Sequence, residues 1–91
     1  MAARILLLED DLSLSEIIEE FLIDEGYEVY LCTNAKEALE LAYEKHFDLW
    51  ILDVKVPLGD GFSLLKELRA CGKQTPAIFM TSLNTTEDLK E

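Results

Sequence analysis

The residues with chemical potential sit at the ends of two apolar runs. Leu49-Trp50-Ile51-Leu52 closes on Asp53 and is followed by Val54-Lys55-Val56-Pro57; Ile5-Leu6-Leu7-Leu8 closes on Glu9, Asp10 and Asp11. Folding alone does not ask for two buried strands that each finish in acid, because neighbouring carboxylates repel and lose hydration on burial. A bound cation or a chemical task accounts for it. Carboxylates gathered within a few ångströms favour a hard divalent cation, and Mg²⁺ takes one or two carboxylates plus carbonyls and waters. The candidate ligands are Asp10, Asp53 and the backbone carbonyl of Lys55, with Glu9 acting through a bound water. No Cys/His cluster suggests a softer metal. A cation beside a carboxylate and a hydroxyl suits phosphoryl transfer, with Asp53 attacking phosphorus and Thr81 donating to a phosphoryl oxygen. In isolation, Thr81-Ser82 also reads as ordinary strand-end capping. Asp11 reads as an acid at a helix start, where negative charge suits the dipole.

The elements that must carry these groups alternate strand and helix. Arg4 to Leu8 is a continuous apolar run, as expected of a strand covered on both faces. Ser13-Leu14-Ser15-Glu16 has capping-box spacing, and Leu14, Ile17, Ile18, Phe21 and Leu22 then recur at helical spacing up to Gly26. Tyr27 to Leu31 reads as a second strand. Asn34 caps a second helix, with Glu37 three residues on and Ala38, Leu39, Leu41 and Ala42 as its apolar side. Phe47 to Leu52 reads as the third strand and Pro57 to Gly61 as a loop. Asp60 caps a third helix with Phe62, Leu65 and Leu68 inward and Gly72 at its end. Pro76 to Met80 is a fourth strand, and Thr85 to Glu91 begins a further helix. This alternation implies a doubly wound parallel sheet with right-handed crossovers, whose ligands bind at the strands' carboxyl ends. Glu9, Asp10, Asp53 and Thr81 all fall there.

Composition narrows the functional classes. The 91 residues suffice for one domain. A net charge of −11 argues against nucleic acid or an anionic membrane as this segment's direct partner. No apolar stretch approaches the roughly 18 residues of a membrane span. The N-terminus runs straight into a strand, which does not resemble a signal peptide. Cys32 and Cys71 lack CxxC spacing and fit reduced thiols in a cytoplasm. His46, among polar neighbours, reads as a solvent histidine.

Taken together, Ile5-Leu6-Leu7-Leu8-Glu9-Asp10-Asp11, Asp53-Val54-Lys55-Val56-Pro57, Asp60-Gly61 and Thr81-Ser82 resemble the receiver domain of bacterial two-component response regulators. The resemblance runs collinearly along the whole chain. It implies a flavodoxin-like, five-stranded sheet in order 2-1-3-4-5, of which four strands in order 2-1-3-4 fall within residues 1–91. It implies that Asp53 accepts a phosphoryl group from a sensor histidine kinase, that Glu9 and Asp10 are the acidic pair for Mg²⁺, and that Thr81 is the switch hydroxyl. A C-terminal DNA-binding output domain, and hence transcriptional control, is the corresponding expectation for the parent protein.

The chain stops at Glu91, within what resembles the fourth helix, and no residue fills the position of the family's Lys after the fifth strand. Residues 1–91 alone are therefore expected to phosphorylate poorly and to associate through uncovered apolar surface, as an oligomer or swapped dimer. The alternative is a pseudo-receiver, a protein-interaction module that is never phosphorylated; the Glu9, Asp10, Asp53 and Thr81 set argues against it for the parent. A haloacid-dehalogenase-type hydrolase would place a second acid where Lys55 stands. A flavodoxin would carry a hydroxyl-rich phosphate loop where Glu9, Asp10 and Asp11 stand.

Overall fold

The computed structural model describes residues 2–80. Within them, four parallel strands form the sheet: β1 (Arg4–Leu8), β2 (Glu28–Cys32), β3 (Leu49–Asp53) and, after a small hairpin, β6 (Ala77–Met80), in order β2-β1-β3-β6. Counting only these strands, the order is the expected 2-1-3-4. The hairpin pairs β4 (Lys55–Val56) antiparallel with β5 (Gly59–Asp60) around Pro57-Leu58. The sequence reads this stretch as a plain loop.

Three helices connect these strands: α1 (Leu12–Asp24), α2 (Ala35–Glu44) and α3 (Gly61–Ala70). The chain steps from β1 to β2 in one direction and from β2 across to β3 and β6 in the other. Right-handed crossovers then place α1 on one face of the sheet and α2 and α3 on the opposite one. The core reflects this division. Leu6, Leu8, Trp50 and Leu52 pack with Ala38, Ala42, Leu64 and Leu68 from α2 and α3. Ile5 and Leu7 alternate with them and are buried on the α1 side. The alanines of α2 let that helix lie close to the sheet.

Local chemistry fixes the ends of the helices. Asn34 Oδ1 accepts the Glu37 N–H at 2.8 Å, and Asp60 Oδ1 accepts that of Ser63 at 2.8 Å, as the sequence predicts. For α1 the cap is Asp11, whose Oδ1 accepts the Leu14 N–H at 3.2 Å. Ser13 lies inside the first turn, so the expected Ser13–Glu16 capping box does not form. The cause is upstream: Glu9 Oε2 accepts the Asp11 N–H at 2.9 Å and holds Asp11 extended. At the other end of α1, Gly26 takes φ 96°, with Gly26 N–H bonded to Ile23 O and Tyr27 N–H to Leu22 O. This crossed pair is a Schellman closure. It consumes the Tyr27 N–H, so β2 begins at Glu28 and not at Tyr27.

Other expectations shift for similar reasons. Phe47 precedes β3 as a buried anchor, its carbonyl accepting from Thr75 Oγ1 and its ring meeting Tyr30 edge-on at 5.5 Å. Helix α3 follows its expected Asp60 cap; of the expected inner stripe Leu68 is buried, while Leu64 takes the other buried position and Phe62 is 58 % exposed. Ile17 and Phe21, expected on the inner stripe of α1, are 66 % and 63 % exposed. The expected helix from Thr85 and the Thr81-Ser82 pair lie outside the described residues.

Candidate functional site

Register assembles the site. Leu8 pairs with Leu52 between β1 and β3, so the next residues, Glu9 and Asp53, stand side by side at the carboxyl rim. The Glu9 N–H donates to the Cys32 carbonyl at 3.0 Å, which ties the rim to the end of β2. One carboxylate oxygen from each of Glu9, Asp10 and Asp53 lies within 4.8 Å of the others. Glu9 and Asp53 are each 2 % exposed, while Asp10 is exposed.

The electrostatics of this trio are unfavourable. Among the described residues, no Lys or Arg forms an ion pair with Glu9, Asp10 or Asp53; Arg4 pairs with Glu28, and the His46 imidazole lies beside Asp48, towards the opposite end of the sheet. Burial pushes the Glu9 carboxyl up from 4.5 to about 6, and the charges of Asp53 and Asp10 act in the same direction, against the Asp11 N–H bond. Glu9 Oε1 and Asp53 Oδ1 are buried with no hydrogen-bond partner. Both are acceptors, so a shared proton, a donating water or a cation between them would satisfy both. A proton on Glu9, donated to Asp53, is one such arrangement and contributes to the raised value. An all-oxygen donor set with two orphaned buried oxygens fits a hard divalent cation.

The remaining candidates are placed as follows. Lys55 begins β4, two residues beyond Asp53, with its side chain exposed and its backbone opposite Asp60. Asp53 is in register with Met80 on β6; Thr81, the next residue, lies outside the described part of the chain. Asp11 turns away from the cluster to cap α1. The sequence places Gly61 at a loop end and within the resemblance to the family, without a structural role; in the fold it packs against the Asp53 backbone. No periodicity signals that contact. A separate groove of about 420 Å³ between α2 and α3, lined by Ala35, Leu39, Leu58 and Leu64 among others, includes none of the acidic trio.

Comparison with known proteins places this geometry in context. A family model described as the response regulator receiver domain matches residues 5–91. The probable transcriptional regulator ycf29 of Pyropia yezoensis is 42 % identical over 90 residues, covering 97 % of this chain and 40 % of that protein. The transcriptional regulatory protein DltR of Streptococcus agalactiae is 39 % identical over 85 residues, covering 93 % of this chain and 38 % of that protein. The chain thus spans about two fifths of the length of these relatives. Among solved structures, the receiver domain of the sensor histidine kinase PA1611 from Pseudomonas aeruginosa superposes with a TM-score of 0.86 at 30 % identity, over 100 % of this chain and 76 % of that one. That domain has a magnesium ion coordinated in its active site cleft. Sheet order, acidic rim and sequence match agree, and the chain belongs to the response regulator receiver domain family of two-component systems.

Proposed function

We propose that this chain is the phosphoacceptor module of a response regulator, receiving a phosphoryl group on Asp53 from the phosphohistidine of a sensor kinase. The observation that carries the reading is the clustering of Glu9, Asp10 and Asp53 within 4.8 Å, with two buried acceptor oxygens left unpaired. An Asp53 carboxylate oxygen attacks phosphorus as the P–N bond to the kinase histidine breaks, leaving an acyl phosphate on Asp53 and a free imidazole. Mg²⁺, when bound at the rim, would supply positive charge to the phosphoryl group. Asp10, Asp53 and the Lys55 carbonyl would hold it, with Glu9 acting through a water. The burial of Asp53 keeps bulk water off the nucleophile, and the β3–β1 ladder fixes its direction. Thr81 is the proposed switch hydroxyl.

The relatives' descriptions as transcriptional regulators support an output in transcription, through a DNA-binding domain in a longer parent. No helix among the described residues is long and apolar enough to cross a membrane, and a cytoplasmic setting suits a kinase-fed module with two free thiols. The test is exposure to a small acyl phosphate donor, read by intact mass and peptide mapping. The expected product is one phosphoryl group on Asp53, dependent on Mg²⁺ and absent from Asp53→Asn. Among the described residues no Lys or Arg forms an ion pair with the acidic trio, so the yield from residues 1–91 alone is expected to be low; position and Mg²⁺ dependence are the readouts. Labelling elsewhere, or labelling indifferent to Mg²⁺, refutes the assignment. Cation binding without any labelling favours an interaction module.

A further inference from the structure

We propose that Gly61 is a positioning residue for Asp53, acting by the absence of a side chain. The inference rests on the phosphoacceptor reading above. Gly61 is buried at the first position of α3, and its N–H donates to the Val54 carbonyl at 2.8 Å, clipping the helix to the peptide that follows Asp53. A Cβ on Gly61 would lie 2.4 Å from the Asp53 carbonyl oxygen and 3.1 Å from its carbonyl carbon. Neither atom is the tip of a flexible side chain; both belong to the main chain of Asp53 itself.

The helix cannot simply back away. Phe79 Cε1 stands 3.3 Å from the same point, and the Phe79 ring packs against Phe62 with centroids 4.6 Å apart. Leu52 and Phe79 are in register across β3 and β6, which anchors that wall to the strand bearing Asp53. A methyl group at position 61 is therefore relieved mainly by displacing the Asp53 peptide. That displacement carries the carboxylate away from Glu9 and Asp10 and opens the oxygen cluster. Gly61 has no left-handed φ, so its requirement is space. Alanine satisfies its torsions and fails on distance. The turn glycines Gly26 and Gly72 differ: both have positive φ, and a methyl group on either would meet nothing within 4 Å.

The experiment compares the wild-type chain with Gly61→Ala, Phe79→Leu, the double variant and Ala42→Gly. Ala42 is buried at the far end of α2, away from the acidic rim, and serves as a stability control that acts through helix propensity and the loss of one core methyl group. Mn²⁺ affinity is read by electron paramagnetic resonance, Mg²⁺ affinity by calorimetry and folding by circular dichroism. Gly61→Ala is expected to lose cation affinity by roughly 10–100-fold, the range for disturbing the support of a metal ligand. Phe79→Leu and Ala42→Gly are expected to keep wild-type affinity. The double variant is expected to recover part of the loss, because a shorter side chain at 79 lets α3 retreat from Asp53. A merely structural role predicts the opposite, since removing the ring adds a cavity to an already strained protein. Equal affinity in wild type and Gly61→Ala, or a double variant weaker than Gly61→Ala, overturns the proposal while leaving the phosphoacceptor reading intact. A wild-type chain that binds no divalent cation overturns both. If Gly61→Ala does not fold, a folded, cation-binding double variant supports the proposal and an unfolded one refutes it.

Discussion

Asp53→Asn is expected to stabilise the cation-free chain. In the wild type, Asp53 and Glu9 stand side by side at 2 % exposure, each with an unpaired oxygen. The rise of Glu9 from 4.5 to about 6 corresponds to at most about 2 kcal/mol. Burial is its largest cause and persists in the variant, so the part due to Asp53, screened further by water at the rim where Asp10 is exposed, is at most about 1 kcal/mol. Asparagine keeps the shape of the residue, removes one charge and brings an N–H donor for Glu9 Oε1. For a domain of this size, about 1 kcal/mol moves Tm by roughly 4–8 °C. The assay is calorimetric melting in chelator at pH 7 and at pH 5. The sign follows from linkage: Glu9 titrates higher in the folded state, so its contribution is fully present below 4.5 and is lost as pH rises through about 6. At pH 5 the wild type already carries a proton on Glu9, and the advantage of the variant shrinks. Saturating Mg²⁺ at pH 7 should raise the wild-type Tm and leave the variant unchanged. A variant that melts at or below wild type at pH 7, or with equal gains at both pH values, refutes the repulsion account.

Two further outcomes follow from the same structure. Cys32 is fully buried, and burial together with the charge of Glu37 pushes its thiol up to about 12, while Cys71 is exposed beside the Tyr43 hydroxyl. A disulfide reagent on the native chain should therefore modify one thiol quickly, and Cys71→Ser should abolish that fast phase; rapid reaction of both thiols contradicts the packing of β2. Ile17, Phe21 and Ile78 are each more than half exposed, so light scattering of residues 1–91 should show mass rising with concentration. A constant monomer mass up to high concentration counts against association.

The strands and the acidic rim are legible in the sequence because continuous apolar runs and a change to acid are local signals. Leu8-Glu9 and Leu52-Asp53 carry both. The misplacements come from contacts made across the fold. Ser13 has good capping spacing, but Glu9 grips the Asp11 amide from the site and moves the helix start two residues earlier. Phe62 has the right hydropathy for the inner stripe of α3, yet the docking of that helix on the sheet turns Leu64 and Leu68 inward and leaves Phe62 exposed. Gly61 itself looks like a turn glycine until β3 is brought against it. The shift of β2 away from Tyr27 is the cost of closing α1 at Gly26, a bond that periodicity does not reveal.

The central place of β1 bears on how the molecule comes to be folded. Its two ladders can close at different stages of chain growth, because β2 begins at Glu28 and β3 only at Leu49. A nascent chain emerging N-terminus first can join β1 to β2 through α1 while the other flank stays open. Glu9 and Asp53 meet only when that flank closes, so the mutual repulsion of the carboxylates opposes the long-range step that also carries the largest loop-closure entropy. A cation that recognises only the assembled trio cannot hasten that step. It acts afterwards, by slowing the reopening of β1 from β3.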